Sequence, residues 1–208
     1  MSRSSKEIVL LVEGRTEIAI KQILKRFLDE RCELENIPKV RLTLKPMDSR
    51  LLKPQVVKDQ IAMNIARRDV VGVVALIDVA CSGRPQQFNN AKEAIKFLSE
   101  IAPDENRYRA HAAQYDFEAW LLPYWESILK RLNQKKQIPS NNPETVNHNH
   151  PPSWHLQELY KRAGYKYDKP RDALAILTGK DLLVSANKCP QFKAFLNSLL
   201  HFAGCKPI

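Results

Sequence analysis

The sequence predicts an α/β fold: a mostly parallel sheet flanked by helices, with a helical C-terminal extension. Three observations carry that reading. Ile8–Val12 and Val71–Ile77 are short apolar runs rich in branched residues, the composition of strands buried on both faces. Segments with helical spacing alternate with strand signals as far as Leu132, the pattern of repeated β-α-β units. Beyond Pro152 the periodicity is helical only.

Each element has its own signature. The first strand stops at Glu13-Gly14, and a helix follows from Thr16 with Ile18, Ile20, Ile23, Leu24, Phe27 and Leu28 apolar. Val40–Leu44 alternates like a shorter strand, and Pro46–Pro54 is rich in turn residues. Gln55–Arg68 is helical, with Val56, Val57, Ile61, Met63 and Ile65 on its apolar face. Val71–Ile77, interrupted only by Gly72, ends at Asp78. Asn89–Ile101 is an amphipathic helix and Tyr108–Gln114 an edge strand. A long helix is predicted from Asp116 to about Leu132, with Trp120, Tyr124 and Trp125 in the core rather than on a base-stacking face. The stretch 134–152 has prolines, asparagines and no apolar period, which predicts an exposed loop. Trp154–Ala163, Asp172–Leu177 and Pro190–Phe202 are helical. The chain therefore divides into an α/β domain at 1–134, a flexible linker or loop at 135–152, and a basic helical extension at 153–208 packed on the core.

Composition narrows the function classes. A chain of 208 residues with 44% apolar content suits one core of α/β size. Its longest apolar run, Val70–Ile77, falls well short of the ~18 residues that span a membrane. The N-terminus lacks the apolar core of a signal peptide, so the expected location is the cytoplasm. Cys32, Cys81, Cys189 and Cys205 are widely spaced and read as reduced thiols. The net charge is +10, and from Ser153 onward nine Lys and Arg face four Asp and Glu. That surplus points to a polyanion, with nucleic acid favoured over a membrane. Lys161, Arg162 and Lys166 are its expected contacts.

The chemistry-bearing residues are acids. Glu13 and Asp78 each end a strand predicted to be a parallel neighbour of the other, so two carboxylates share the sheet edge where ligands bind in open α/β sheets. Buried like charges at close range call for a proton or a cation between them, and an oxygen-only site suits magnesium or manganese. Glu17 lies on the first helical turn and can face the same opening, or simply complement the helix dipole. Asp116 reads as an N-cap rather than a ligand, while Glu118 fits a dipole role and a site role equally. His148, His150 and His155 lack the rigid spacing of a zinc site. Cys81-Ser82-Gly83 reads as a small-residue turn leaving a strand.

These residues carry a resemblance. The VEGRTE turn, the LID strand end and the helix that follows resemble a Toprim domain, the metal-binding core of topoisomerases, primases and overcoming-lysogenization-type nucleases. More closely, the chain resembles the bacterial Toprim-like family catalogued as domain of unknown function 4276. It does so through LLVEGRTE at 10–17, ALID at 75–78, QYDFEAWLL at 114–122, KYDKPRDALAI at 166–176 and CPQFKAFLNSL at 189–199. Toprim domains use a first glutamate and a DxD pair for magnesium. The resemblance carries these onto Glu13 and Asp78, while Ala80 stands at the second aspartate, leaving Glu17 and Glu118 to complete the coordination. It implies a Mg2+- or Mn2+-dependent nuclease acting on DNA or RNA, with Glu13, Asp78 and Glu118 catalytic and Lys169 and Lys180 as candidate phosphate contacts. It also implies an antiphage defence role beside an ATPase partner, since the chain has no P-loop pattern of its own. The alternative is a catalytically weak Toprim-like module that binds nucleic acid or the ATPase without cutting. The sequence leaves oligomeric state undecided, homo-oligomer included.

Overall fold

The computed structural model describes residues 6–79, 87–145 and 150–208. Its sheet contains β1 (Glu7–Val12), β2 (Arg41–Pro46), β3 (Val70–Asp78) and β4 (Tyr108–Ala113) in the order β2-β1-β3-β4, with every neighbouring pair parallel. The two central strands are the two apolar runs, and side-chain alternation explains why they are apolar throughout. Ile8, Leu10 and Val12 of β1, with Val74 and Leu76 of β3, enter one core. Val9 and Leu11, with Val73, Ala75 and Ile77, enter the other.

The helices are α1 (Arg15–Ala19), α2 (Lys21–Leu34), α3 (Pro54–Ile65), α4 (Ala91–Ser99), α5 (Trp125–Leu132), α6 (Pro152–Arg162), α7 (Lys169–Leu177), α8 (Leu182–Ala186) and α9 (Pro190–Ala203). One face of the sheet is covered by α3 and α4 through Val57, Ile61, Ala91, Ala94 and Leu98. The other face is covered by α2 together with the C-terminal helices, through residues such as Leu28, Ile128, Leu156, Ile176 and Phe195. Helix α9 lies against β1, β3, β4 and α2. Its Phe202 crosses β3 at Gly72, where a Cβ would stand 2.2 Å from the ring, so the glycine inside the strand makes room for that helix. No helix among the described residues is long and apolar enough to cross a membrane.

Several elements differ from their sequence patterns. The helix predicted from Asp116 to Leu132 is three pieces: 3-10 turns at Phe117–Trp120 and Leu122–Tyr124, then α5. Pro123 has no N–H and its ring opposes a continuous helix through this point, so the chain restarts at Trp125. Trp120, Tyr124 and Trp125 are all buried, although not on one helix. The helical run after Thr16 bends at Ile20, which separates α1 from α2. The turn-rich stretch after Pro46 holds a 3-10 segment, Asp48–Leu52, that buries Leu51. Within the proline-rich stretch, Pro143 is buried and Glu144 bonds the core. The short α8 has no apolar period long enough to be read from sequence.

Candidate active site

β1 and β3 run side by side and end at the same edge, with Val12 opposite Leu76. Glu13 follows β1, Asp78 closes β3, and the Asp78 N–H donates to Glu13 Oε2 at 3.1 Å. The chain then turns through Gly14 into α1. The Gly14 N–H donates to Glu17 Oε2 at 3.2 Å, which folds that carboxylate back toward the strand ends. Glu17 is 2% exposed. From β4, the QYDFEAW segment returns to the same edge and brings Asp116 and Glu118, both fully buried. Asp116 Oδ2 accepts the Ser153 N–H at 3.1 Å from the start of α6. Glu118 Oε2 accepts from Lys169 Nζ at 3.0 Å, and its Oε1 from the Tyr167 hydroxyl at 3.3 Å.

Five acids from three separate stretches of the chain thus meet one lysine. The crowding shows in their proton affinities. Burial, followed by the charges of Glu118 and Glu13, pushes the Glu17 carboxyl up to about 7 against the Glu17 and Gly14 N–H groups. Burial first and Glu118 second push Asp116 to about 7, with Lys169 and Ser153 opposing. Asp78 is partly exposed as a residue, but its Oδ1 is buried without a hydrogen bond. Burial, then Glu17, raises the Asp78 carboxyl well above the carboxylate range. Burial lowers the proton affinity of Lys169, but Glu118, Asp78 and Asp116 outweigh it, so the ammonium is held more firmly than usual.

The structure therefore brings together Glu13, Glu17, Asp78 and Glu118, with Lys169 among them. The other basic residues lie elsewhere. Lys161 pairs with Glu158 at 4.0 Å, Arg162 is exposed on α6, Lys166 lines a separate cavity, and the Lys180 N–H closes onto Leu177 O. Asp116 corrects a sequence expectation: it makes no cap bond to its own turn and instead spends one oxygen on Ser153. Two acids a residue apart, directly after a strand that reaches the same edge, were the available signal. Tyr167 is the group sequence reasoning missed, because its contact with Glu118 spans 49 residues. Ala80, Cys81, Ser82, Gly83 and His148 lie outside the described residues. His150 stacks on Trp154 with ring centroids 4.2 Å apart. Cys32, Cys189 and Cys205 are buried free thiols.

The donor set is all oxygen, the chemistry that suits Mg2+ or Mn2+, and the bare Oδ1 atoms of Asp78 and Asp116 are what a cation would satisfy. Among the described residues, no three His, Cys, Asp or Glu already stand in a metal-holding arrangement. Both Glu118 oxygens are engaged by Tyr167 and Lys169. The donors fit a divalent cation by their chemistry.

A parallel sheet under two helical layers, with acids gathered at the carboxyl ends of its central strands, is a Toprim-like α/β fold with a helical C-terminal part. The chain belongs to the family described as "Domain of unknown function (DUF4276)", whose profile matches residues 12–200. Among solved structures, it is similar to the C-terminal region of the Burkholderia pseudomallei OLD protein, with a TM-score of 0.51 and 15% identity over 94% of this chain and 96% of that one. At that identity the likeness concerns the fold. No curated protein matches the sequence.

Proposed function

We propose that the chain is a divalent-cation-dependent nuclease that hydrolyses phosphodiester bonds of DNA or RNA at the Glu13–Asp78 edge. The observation that supports it most is the convergence of five carboxylates and Lys169 where parallel strands end. Glu13, Glu17 and Asp78 would hold Mg2+ or Mn2+. When bound, the cation polarises a phosphate oxygen and neutralises charge that builds during hydrolysis. The rest falls to the chain's own side chains. Glu118 and Tyr167 fix Lys169, whose ammonium sets a positive charge beside the strand ends for a phosphate to approach. Asp116, tied to Ser153, anchors the start of α6 behind them. Glu13, Glu17, Asp116 and Glu118 are buried, which limits screening by water, while Asp78 and Lys169 stay partly exposed to the opening. The resemblance further supports a role as an antiphage effector beside an ATPase, which co-purification with such a partner would test.

The test compares wild type with Glu13→Gln, Asp78→Asn and Glu118→Gln on single- and double-stranded DNA and RNA, with Mg2+ or Mn2+. Each substitution is expected to lower cleavage by about 10²-fold or more while leaving the fold intact. Cleavage that survives all three would move the active site elsewhere. A second reading, a binding module without catalysis, is favoured by Ala80 at the second aspartate position and by the engagement of both Glu118 oxygens. In that case no substrate is cut, and Ala80→Asp creates a divalent affinity that the wild type lacks.

A further inference from the structure

The segment 164–171 has two sides. Tyr167 and Lys169 reach inward to Glu118. Tyr165, Lys166 and Arg171 instead line a cavity of about 390 Å³, closed by Arg131 at the end of α5 and by Tyr160 and Asp172. The cavity joins an exposed aromatic ring to cations on its rim. Tyr165 is a large aromatic left 62% exposed. The backbone beneath it is tied down: just past α6, Gly164 takes φ 79°, and the Tyr165 N–H closes back on Tyr160 O at 2.9 Å. Tyr160 is 2% exposed, with its hydroxyl buried beside the Asp172 carboxylate. That carboxylate also accepts from the Asp168 N–H at 2.7 Å and from Arg171 at 2.8 Å. With Asp172 and Arg171 offsetting each other, Arg131 and Lys166 leave the rim positive.

We propose that this cavity holds one unstacked nucleotide of a single-stranded nucleic acid. Its base lies on the Tyr165 ring, and its flanking phosphates meet Arg131 and Lys166. An exposed aromatic ring between cations from two elements is the arrangement that takes a base together with its backbone. Bases in a duplex are paired and stacked, so they cannot enter a cavity of this kind. The inference rests on the nuclease reading in taking nucleic acid as the ligand. It adds the strand form and a path, because the backbone that carries Tyr165 and Lys166 reaches Lys169 at the acid cluster three residues later.

Binding is measured by fluorescence anisotropy in EDTA, with labelled oligothymidylate, oligouridylate and a duplex of equal length, and with inorganic polyphosphate as a probe of charge alone. The two single strands separate DNA from RNA as the source of the nucleotide. Tyr165→Ala is expected to weaken single-strand binding about tenfold, while Tyr165→Phe retains it and polyphosphate binding stays at the wild-type level. Arg131→Gln is expected to weaken single strands and polyphosphate alike. The exposure of Tyr165 keeps its substitution from disturbing the core, and an unchanged melting temperature checks this. Wild-type single-strand affinity in Tyr165→Ala overturns the proposal, as does an equal loss for duplex and single strand. Because EDTA prevents metal-dependent cleavage, a failure of the nuclease reading leaves this result standing, and the reverse also holds.

Discussion

A carboxylate between a strand and a helix has two ways to satisfy its oxygens, and Asp116 takes the less local one. Its bond to Ser153 reaches 37 residues away, which makes it part of the site's wall instead of a cap. His111 shows the same dependence on distant partners. It is buried on β4 against Ser198, at 2.8 Å, and against the Phe195 ring of α9. Burial, then the Arg109 charge, lowers its pKa from 6.5 to about 4. The folded state thus refuses a proton that the unfolded chain accepts. The stability tied to neutral His111 is full above about pH 6.5 and is lost as pH falls toward about 4, a change of about 2 kcal/mol between pH 7 and 5. Glu17 and Asp116, with raised pKa values, run the other way: their contribution is present at low pH and lost as pH rises through about 7. Only a comparison isolates the histidine. Urea unfolding at both pH values should show wild type losing about that much more stability than His111→Gln between pH 7 and 5. Parallel pH profiles would place the imidazole's proton affinity at its ordinary value.

At the scale of elements, the break at Pro123 matters more than the lost helix length. By stopping a helix after Asp116, it leaves Glu118 and Trp120 on a tight turn at the sheet edge. That turn is held from behind by Glu144. The Gln191 N–H at the start of α9 donates to both Glu144 oxygens at 3.1 Å, and the Trp120 indole N–H donates to Oε1 at 3.2 Å. An anion at the N-terminus of a fourteen-residue helix is stabilised by the helix dipole as well as by the N–H groups it accepts. Glu144→Ala should therefore cost about 1–2 kcal/mol, or roughly 2–8 °C in melting temperature for a chain of this length. A variant that melts with the wild type would show that the contact adds nothing.

The whole molecule carries a charge of +10, half of it in the segment from Ser153 onward. Each phosphate neutralised on a single strand releases counterions, so log affinity falls with log salt by about 0.7 per contact. Reversing Lys161, Arg162 and Lys166 to Glu should flatten that slope by about 2 if all three meet phosphates. An unchanged slope would remove the face of α6 and the turn after it from the binding surface. The same segment is also structural: α9 covers the sheet, and Cys205, just beyond it, lies with its sulfur 3.6 Å from that of Cys32 on α2.

By itself the sequence determined the parallel sheet, its two central strands and the presence of Glu13 and Asp78 at their ends. Those features are local: a run buried on both faces must be apolar along its whole length, and the residue that ends it is fixed by chain order. Glu17 was legible for the same reason, since it sits one turn past a strand end. Tertiary structure decided that Asp116 is part of a site wall, that Tyr167 and Lys169 lock Glu118, and that Arg131 of α5 comes to the cavity beside Tyr165. Each of these rests on contacts between residues far apart in the chain, set by how the C-terminal helices pack on the sheet. A hydrogen bond of that kind leaves no periodicity in the sequence, because its energy depends on which groups the fold brings within reach and not on their neighbours along the chain.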